Sequence, residues 1–178
     1  MYVRFQLLPY WYTLFWKAHI QGGTVLRALA WNFPNEEGLE AIDNQFMLGP
    51  SILIMPVLAP LLRYSQGAFP GIGYCTRWYD WYTLEEVYAA AGENVTLVAP
   101  LEHIPVHLRG GTVIASQIPA NTTKHTRMSP WEFTIALGVN REAKGSLYLD
   151  GGVSLEPTDT KEVKVSPSPG FYSIKGRY

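Results

Sequence analysis

The sequence predicts a mixed chain, α/β at its start and all-β afterwards, and three observations carry that reading. Residues Arg4 to Pro34, RFQLLPYWYTLFWKAHIQGGTVLRALAWNFP, read as one helix followed by one strand, a unit of a larger closed barrel. From Arg77 onward, short strand-like runs separated by turn residues recur at spacings of about ten residues or fewer, the pattern of a β-sandwich. Charged residues make up only 16% of the chain against 47% hydrophobic, below the usual quarter or so. A barrel unit with so little charge needs a neighbour to cover it.

In the helix, Leu7, Leu8, Trp11, Leu14, Phe15 and Ala18 fall at helical spacing as the buried stripe, with Gln6, Thr13 and Lys17 on the other side. Gln21-Gly22-Gly23 ends it, because glycine tolerates the left-handed backbone of a helix terminus. Val25 to Phe33, VLRALAWNF, is nearly unbroken apolar sequence, as in a strand covered on both faces. Asn35 caps a second helix, with Glu36 and Glu37 at the positive end of its dipole and Leu39, Ile42 and Phe46 as its buried stripe before Gly49.

Ser51 to Leu58, SILIMPVL, is interrupted by Pro56 and reads as an edge or bulged strand. Residues 60 to 76, with three glycines and two prolines, read as an irregular connection. The strands expected next are Arg77 to Thr83, Asn94 to Val98, Ile104 to Leu108 and Thr112 to Ile114. WEFTIALGV and GSLYLDGG form a hairpin around Asn140 to Lys144, and KEVKVS and FYSIKG supply strand pieces in the tail.

A net charge of -1 leaves no basic footprint for nucleic acid. No run approaches the roughly 20 apolar residues that span a bilayer, so no membrane partner is expected. Pro9, Lys17 and His19 interrupt the one segment resembling a secretory signal, Arg4 to Phe15, which argues against that reading. The single cysteine, Cys75, rules out an internal disulfide and reads as a free buried thiol. No cofactor is implied.

The phrases RFQLLPYWYTLFWKAH, TVLRALAWNFP, DNQFMLGPSILIMPVL, WYDWYT, LEHIPVHLRGGTVI and GSLYLDGGVSL occur in this order. Together they resemble the carboxy-terminal third of the α-glucosidases of glycoside hydrolase family 31, and most of all the secreted fungal maltase-like enzymes. The resemblance runs from Arg4 to about Glu156. It implies that residues 1–50 are the last helix, strand and helix of a (β/α)8 catalytic barrel, 51–120 a proximal β-sandwich and 121–178 the start of a distal one. It also implies a secreted parent enzyme that releases terminal α-linked glucose with retention. Retention uses two carboxyl groups about 5 to 5.5 Å apart. In the family both lie in motifs upstream of anything that matches here, so no catalytic residue is transferred. The chain's partners are then the missing barrel portion and, through the parent enzyme, an α-glucoside or oligosaccharide.

The chain's own carboxylates have ordinary readings. Asp43 lies on the edge of a helix stripe, Asp80 within WYDWYT makes a turn or strand-edge hydrogen bond, and Asp150 starts a turn in DGGVS. Gly151 stands where the family usually has a second aspartate, Ala115-Ser116 where a proline-led segment is usual, and Gly138 where an acidic residue is common. These departures and the missing barrel point to a fragment.

His103 and His107 share strand parity but lie about 13 Å apart, too far for one metal ion. His19 ends the first helix and His125 sits in a polar connection, so no metal site is expected. Arg109 with Gly110 and Gly111 makes a tight turn. Asn94-Val95-Thr96 and Asn121-Thr122-Thr123 are glycosylation sequons, expected in turns or edges. Within the resembled barrel only Trp31 to Phe33 approach the sugar pocket, as packing. A rival reading makes the chain a carbohydrate-binding or scaffold β-domain, with Trp78, Trp81 and Tyr82 as its stacking platform.

Overall fold

Met47 and Leu48 are neighbours in the chain, yet they lie in different hydrophobic clusters, and this division organises the molecule. Successive residues of a strand point to opposite faces. Leu48, Ile52 and Leu108 thus fill a cluster with Leu7, Tyr10 and Leu14, while Met47, Leu53 and Trp78 fill a second one with Leu29, Phe33 and Phe69. Both faces of the central sheet are covered, which is why its strands lack the apolar-polar alternation of a half-exposed sheet.

The structure is a computed structural model that describes residues 2–152, 154 and 160–165. In chain order it contains helices α1 (Tyr2–Gln6) and α2 (Leu8–Gln21), strand β1 (Leu26–Arg27), helix α3 (Leu29–Asn32), and strands β2 (Phe46–Leu48), β3 (Ile52–Ile54) and β4 (Tyr64–Ala68). Strands β5 (Trp78–Asp80), β6 (Asn94–Val98), β7 (Val106–Arg109) and β8 (Thr112–Gln117) follow, then helix α4 (Thr123–Thr126) and strands β9 (Trp131–Ala136), β10 (Gly145–Leu149) and β11 (Lys161–Val165). The central sheet has the order β1-β2-β3-β7-β5, with antiparallel neighbours throughout. The pairs β4-β6, β8-β9 and β10-β11 are also antiparallel. Val95 and Leu97 of β6 pack on the second cluster, and Ile114 of β8 and Ala136 of β9 join the first. The described part is mostly β-sheet and contains no closed barrel.

Helix α2 forms where expected. Pro9 occupies its first turn, where a missing N–H costs nothing. Gly22, at φ 77°, ends it and donates its N–H to Ala18 O. The inward face is rotated from the expected stripe: Leu7, Tyr10, Thr13 and Leu14 are buried, while Phe15 is 56% exposed. Thr13 can lie inward because both roles of its hydroxyl are filled. Its Oγ1 donates to Pro9 O at 2.8 Å and accepts from the Tyr148 N–H at 3.0 Å.

The predicted strand Val25 to Phe33 is corrected. Only Leu26–Arg27 is strand, paired antiparallel with Met47 and Leu48, and the chain then turns into α3. Ala, Leu, Trp and Asn sit easily in a helical turn, and that turn drives Leu29 fully into the second cluster. The predicted second helix is absent. Gly38 takes φ +83°, outside the range of a right-handed helix, and Leu39 and Ile42 pack on the second cluster from turns. Gln45 then fixes the chain to Ala68: its Nε2 donates to Ala68 O and its Oε1 accepts from Ala68 N, both at 2.8 Å.

Four further expectations change. The strand from SILIMPVL is the third of five in its sheet rather than an edge; it stops at Ile54, two residues before Pro56 could interrupt the ladder. The connection 60 to 76 contains β4, paired in register with β6 from Tyr64↔Val98 to Ala68↔Asn94. The turn near Asn140 exists, with the Gly138 N–H donating to Glu142 O. The strands on either side of it do not form a hairpin, because β9 pairs with β8 and β10 with β11. Cys75 is exposed rather than buried. The piece FYSIKG lies outside the described residues, whereas Lys161–Val165 of KEVKVS forms β11. No helix among the described residues is long and apolar enough to cross a membrane.

Candidate functional site

The aromatic run WYDWYT enters the molecule at β5, and strand geometry sends its rings to different places. Trp78 is 0% exposed; its indole N–H donates to Pro70 O at 2.9 Å and its ring lies against Phe33 and Phe69. Trp81 is buried in the first cluster. Tyr82 alone stays open, its hydroxyl donating to Ile104 O and its ring tilted on His103. The stacking platform of Trp78, Trp81 and Tyr82 is therefore not formed: two of its three rings are core.

Asp80 does what a turn aspartate does. Its Oδ1 accepts from the backbone N–H groups of Tyr82 at 2.7 Å and Thr83 at 2.8 Å. Its Oδ2 lies 3.9 Å from Nε2 of His107, the residue opposite it on β7. His107 is 2% exposed, meets the Phe69 ring edge-on at 4.7 Å, and has no hydrogen-bond partner for Nδ1 among the described residues. Burial pushes its imidazole down to about 4 from the ordinary 6.5, against the pull of the Asp80 carboxylate. His107 is thus a neutral core histidine, and Asp80 serves the backbone.

Asp150 is held more tightly. Tyr12 donates its hydroxyl to Oδ2 at 2.6 Å, the Gly152 N–H reaches Oδ1 at 2.7 Å, and Arg127 lies 3.9 Å from Oδ1. Arg127 also donates to Asp150 O at 2.6 Å. Burial alone raises a carboxyl, but here the hydrogen bonds and the guanidinium outweigh it and hold Asp150 below its ordinary range. The same contact drives the Tyr12 hydroxyl up to about 12. Asp43, expected on a helix edge, is exposed in an irregular stretch.

Among the described residues no group of three or more His, Cys, Asp or Glu side chains converges as a metal site would require. His125 Nδ1 meets Thr122 Oγ1 at 2.8 Å as part of the cap of α4, and His19 lies exposed in the last turn of α2. Arg109-Gly110-Gly111 is the expected tight turn. Gly111 has φ +88°, and a side chain on Gly110 would meet Leu137 O at 2.8 Å. Arg109 lies over the Phe33 ring, 4.4 Å from its centroid, which makes it a packing residue. Both sequon asparagines, Asn94 at the start of β6 and Asn121 before α4, are exposed.

The outer side of the first two helices is apolar. Helix α2 buries Tyr10, Thr13 and Leu14, Val3 of α1 packs partly buried on the same cluster, and Tyr2, Phe5, Tyr12, Phe15 and Ile20 of the two helices stay exposed. Leu26 and Trp31, which follow α2 in the chain, are exposed too, Trp31 by 62%. Of the stretch Trp31 to Phe33, only Trp31 is free to meet anything outside the chain: Asn32 bonds Arg27 and Gly49, and Phe33 lies in the second cluster. The sequence reading missed the outward turn of Phe15 and the joining of Tyr12 to Asp150. The first leaves a signal, since Trp11, Phe15 and Tyr12 outnumber what one helix face can bury. The second leaves none, because 138 positions separate the partners.

Residues 22–114 match the glycosyl hydrolase family 31 C-terminal domain. The chain is 50% identical to an alpha-glucosidase of Aspergillus niger over 180 residues, covering 100% of this chain and 18% of the relative. It superposes on the glucosidase II alpha subunit with a TM-score of 0.77 at 35% identity, over 84% of this chain and 16% of that one. It superposes on a Flavobacterium johnsoniae family 31 dextranase in complex with glucose with a TM-score of 0.81 at 25% identity, over 93% of this chain and 20% of that one. The chain thus spans less than a fifth of the length of the curated relatives in which it finds its match. On sequence and on fold alike, it belongs to glycosyl hydrolase family 31 and corresponds to the C-terminal domain region of that family.

Proposed function

We propose that the chain is the C-terminal bracing region of a retaining α-glucosidase that removes terminal non-reducing glucose from maltose and malto-oligosaccharides, and that it carries none of the catalytic carboxylates. The observation that carries this reading is the doubly apolar helix α2, with Tyr10 and Leu14 turned into the chain's own core and Phe15 and Ile20 turned out. An isolated soluble helix pairs one apolar face with one polar face, whereas a helix between a barrel and a β-sandwich needs both faces apolar. The second support is chemical. Asp80 and Asp150 spend their oxygens on backbone, tyrosine and arginine partners, which leaves neither as a free nucleophile or acid.

On this reading residues 1–50 complete the catalytic barrel, 51–120 form the proximal β-sandwich and 121–178 begin the distal one. The parent enzyme is secreted, with glycans on Asn94 and Asn121, and takes its α-glucoside in a pocket built by the barrel.

A chimera tests the proposal. This chain replaces the corresponding region of the Aspergillus niger α-glucosidase, and the product of maltose cleavage is followed by its anomeric configuration. Hydrolysis with retention is expected. Turnover of an aryl α-glucoside by the 178-residue chain alone, abolished in Asp80→Asn or Asp150→Asn, overturns it.

A further inference from the structure

Strands β4 and β6 pair only with each other, so this two-stranded ribbon has two outer edges, and the chain treats them differently. Ala99 donates its N–H to Arg63 O at 2.9 Å. With the register Ser65↔Leu97 and Gly67↔Val95, that bond fixes the odd-numbered residues as the ones that exchange hydrogen bonds, since such pairs alternate along an antiparallel ladder. The backbone groups of Tyr64, Gln66 and Ala68 therefore face out on one side, and those of Asn94, Thr96 and Val98 on the other.

Side chains close the β4 edge. Asn44 Nδ2 donates to Gln66 O at 2.9 Å, and the Gln45 amide takes both backbone groups of Ala68 at 2.8 Å. A further strand cannot add there. The β6 edge has no such cover among the described residues. Asn94, Thr96 and Val98 are all exposed, Val98 by 80%, while Val95 and Leu97 between them pack on the second cluster. No lysine, proline or other edge-blocking residue interrupts the strand, NVTLV. What it does carry is the sequon Asn94-Val95-Thr96.

An open edge is a template for another strand, and this one fits itself. Turned about a two-fold axis through Thr96, a second β6 sets Asn94 opposite Val98 and Thr96 opposite Thr96. Every outward N–H then meets an outward C=O, for about six hydrogen bonds in all. The contact is isologous, as closed dimers require, and no charged residue within β6 opposes it. A glycan on Asn94 does oppose it. Residues of a hydrogen-bonded pair lie only about 5.5 Å apart, so the first sugars stand where Val98 of the second copy must come. Symmetry places one such glycan at each end of the ladder.

We propose that the free edge of β6 is a self-association surface whose occupant is a second copy of this chain, and that the glycan on Asn94 keeps it closed. The glycan's part rests on the secreted enzyme proposed above; the edge's part rests on strand geometry alone. A five-residue ladder buries little beside the roughly 1,200 to 2,000 Å² of stable complexes. The contact is therefore weak, and one glycan is enough to prevent it.

The test compares the 178-residue chain secreted from a eukaryotic host with the same sequence made in bacteria, which carries no glycan. Mass spectrometry reads the glycan on each asparagine, sedimentation equilibrium reads self-association, and amide hydrogen exchange locates it. The bacterial chain is expected to associate at least about tenfold more tightly than the secreted one, with the Thr96 and Val98 amides exchanging more slowly as concentration rises. In the secreted chain Asn94→Gln restores that association and Asn121→Gln does not. Val98→Pro in the bacterial chain abolishes it, because the substitution removes an outward N–H, breaks no bond to β4 and leaves the sequon whole. If that variant does not fold, Val98→Lys puts a charge on the same edge, with the same result expected. Association through the apolar face of α1 and α2 responds to neither position. Equal association of the two forms, indifference to Val98, or unchanged exchange at Thr96 and Val98 overturns the proposal, as does a monomer secreted with Asn94 bare. Maltose cleavage by the chimera does not involve this edge, so the two readings fail separately.

Discussion

Tyr12 and Asp150 stand 138 positions apart and share a hydrogen bond of 2.6 Å, which ties the first long helix to the loop after β10. The contact joins the two ends of the described chain more directly than any strand pairing. Trp16, one turn further along α2, stacks on Tyr148 at 4.5 Å and reinforces the same junction.

Removing either partner of this bond therefore loosens the ends together. Tyr12→Phe costs about 1 kcal/mol, and Asp150→Asn costs about 1 to 3 kcal/mol because it also weakens the contact with Arg127. The double variant costs less than the sum. The pH dependence has a defined sign. The Asp150 carboxyl is held low, so its contribution is present above the ordinary carboxylate range and is lost as pH falls through its folded value. The Tyr12 hydroxyl is held up at about 12, so its contribution is lost as pH rises from 10 toward 12. Urea unfolding of the four forms at several pH values measures both.

His107 predicts a second acid-sensitive step. Its folded imidazole titrates at about 4 and an unfolded one at 6.5. The unfolded chain therefore takes up the proton first, and stability falls as pH drops from 6.5 to 4. That interval corresponds to about 3 kcal/mol at most. His107→Phe, which keeps a ring against Phe69, flattens the melting temperature over this window; an unchanged slope shows that the loss comes from the carboxylates instead.

Asn94 and Asn121 both sit in the open, so a secreted form made in a eukaryotic host carries two glycans. Asn94→Gln and Asn121→Gln each remove one step of electrophoretic mobility, and the double variant migrates as the enzymatically deglycosylated chain does. A single-step difference between wild type and the double variant shows that only one sequon is used.

The sequence disclosed the β-rich body well because its strands carry their own punctuation. Asn94–Val98 was legible to the residue, and Val106–Arg109 and Thr112–Gln117 within a few positions. The reading failed where one pattern fits two structures. VLRALAWNF has the run of a buried strand, but its alanines and leucines equally make a helical turn, and burial of Leu29 decided between them. Leu39, Ile42 and Phe46 have helix spacing, yet Gly38 and the bonding of Gln45 to Ala68 hold that stretch open. WYDWYT shows aromatic content without direction, since whether Trp78 faces a sugar or a core depends on what covers the sheet.

The central claim is that the outward face of α1 and α2 is a docking surface for the rest of a family 31 barrel. The measurement is mixing or co-expression of this chain with the Aspergillus niger α-glucosidase polypeptide shortened to end where the matching region begins, followed by size-exclusion chromatography and maltose hydrolysis. The account predicts a co-eluting pair with activity that neither part has alone, lost when Phe15→Glu places a charge on the docking face. A chain that stays monomeric beside the shortened enzyme, or an enzyme equally active without it, contradicts the account.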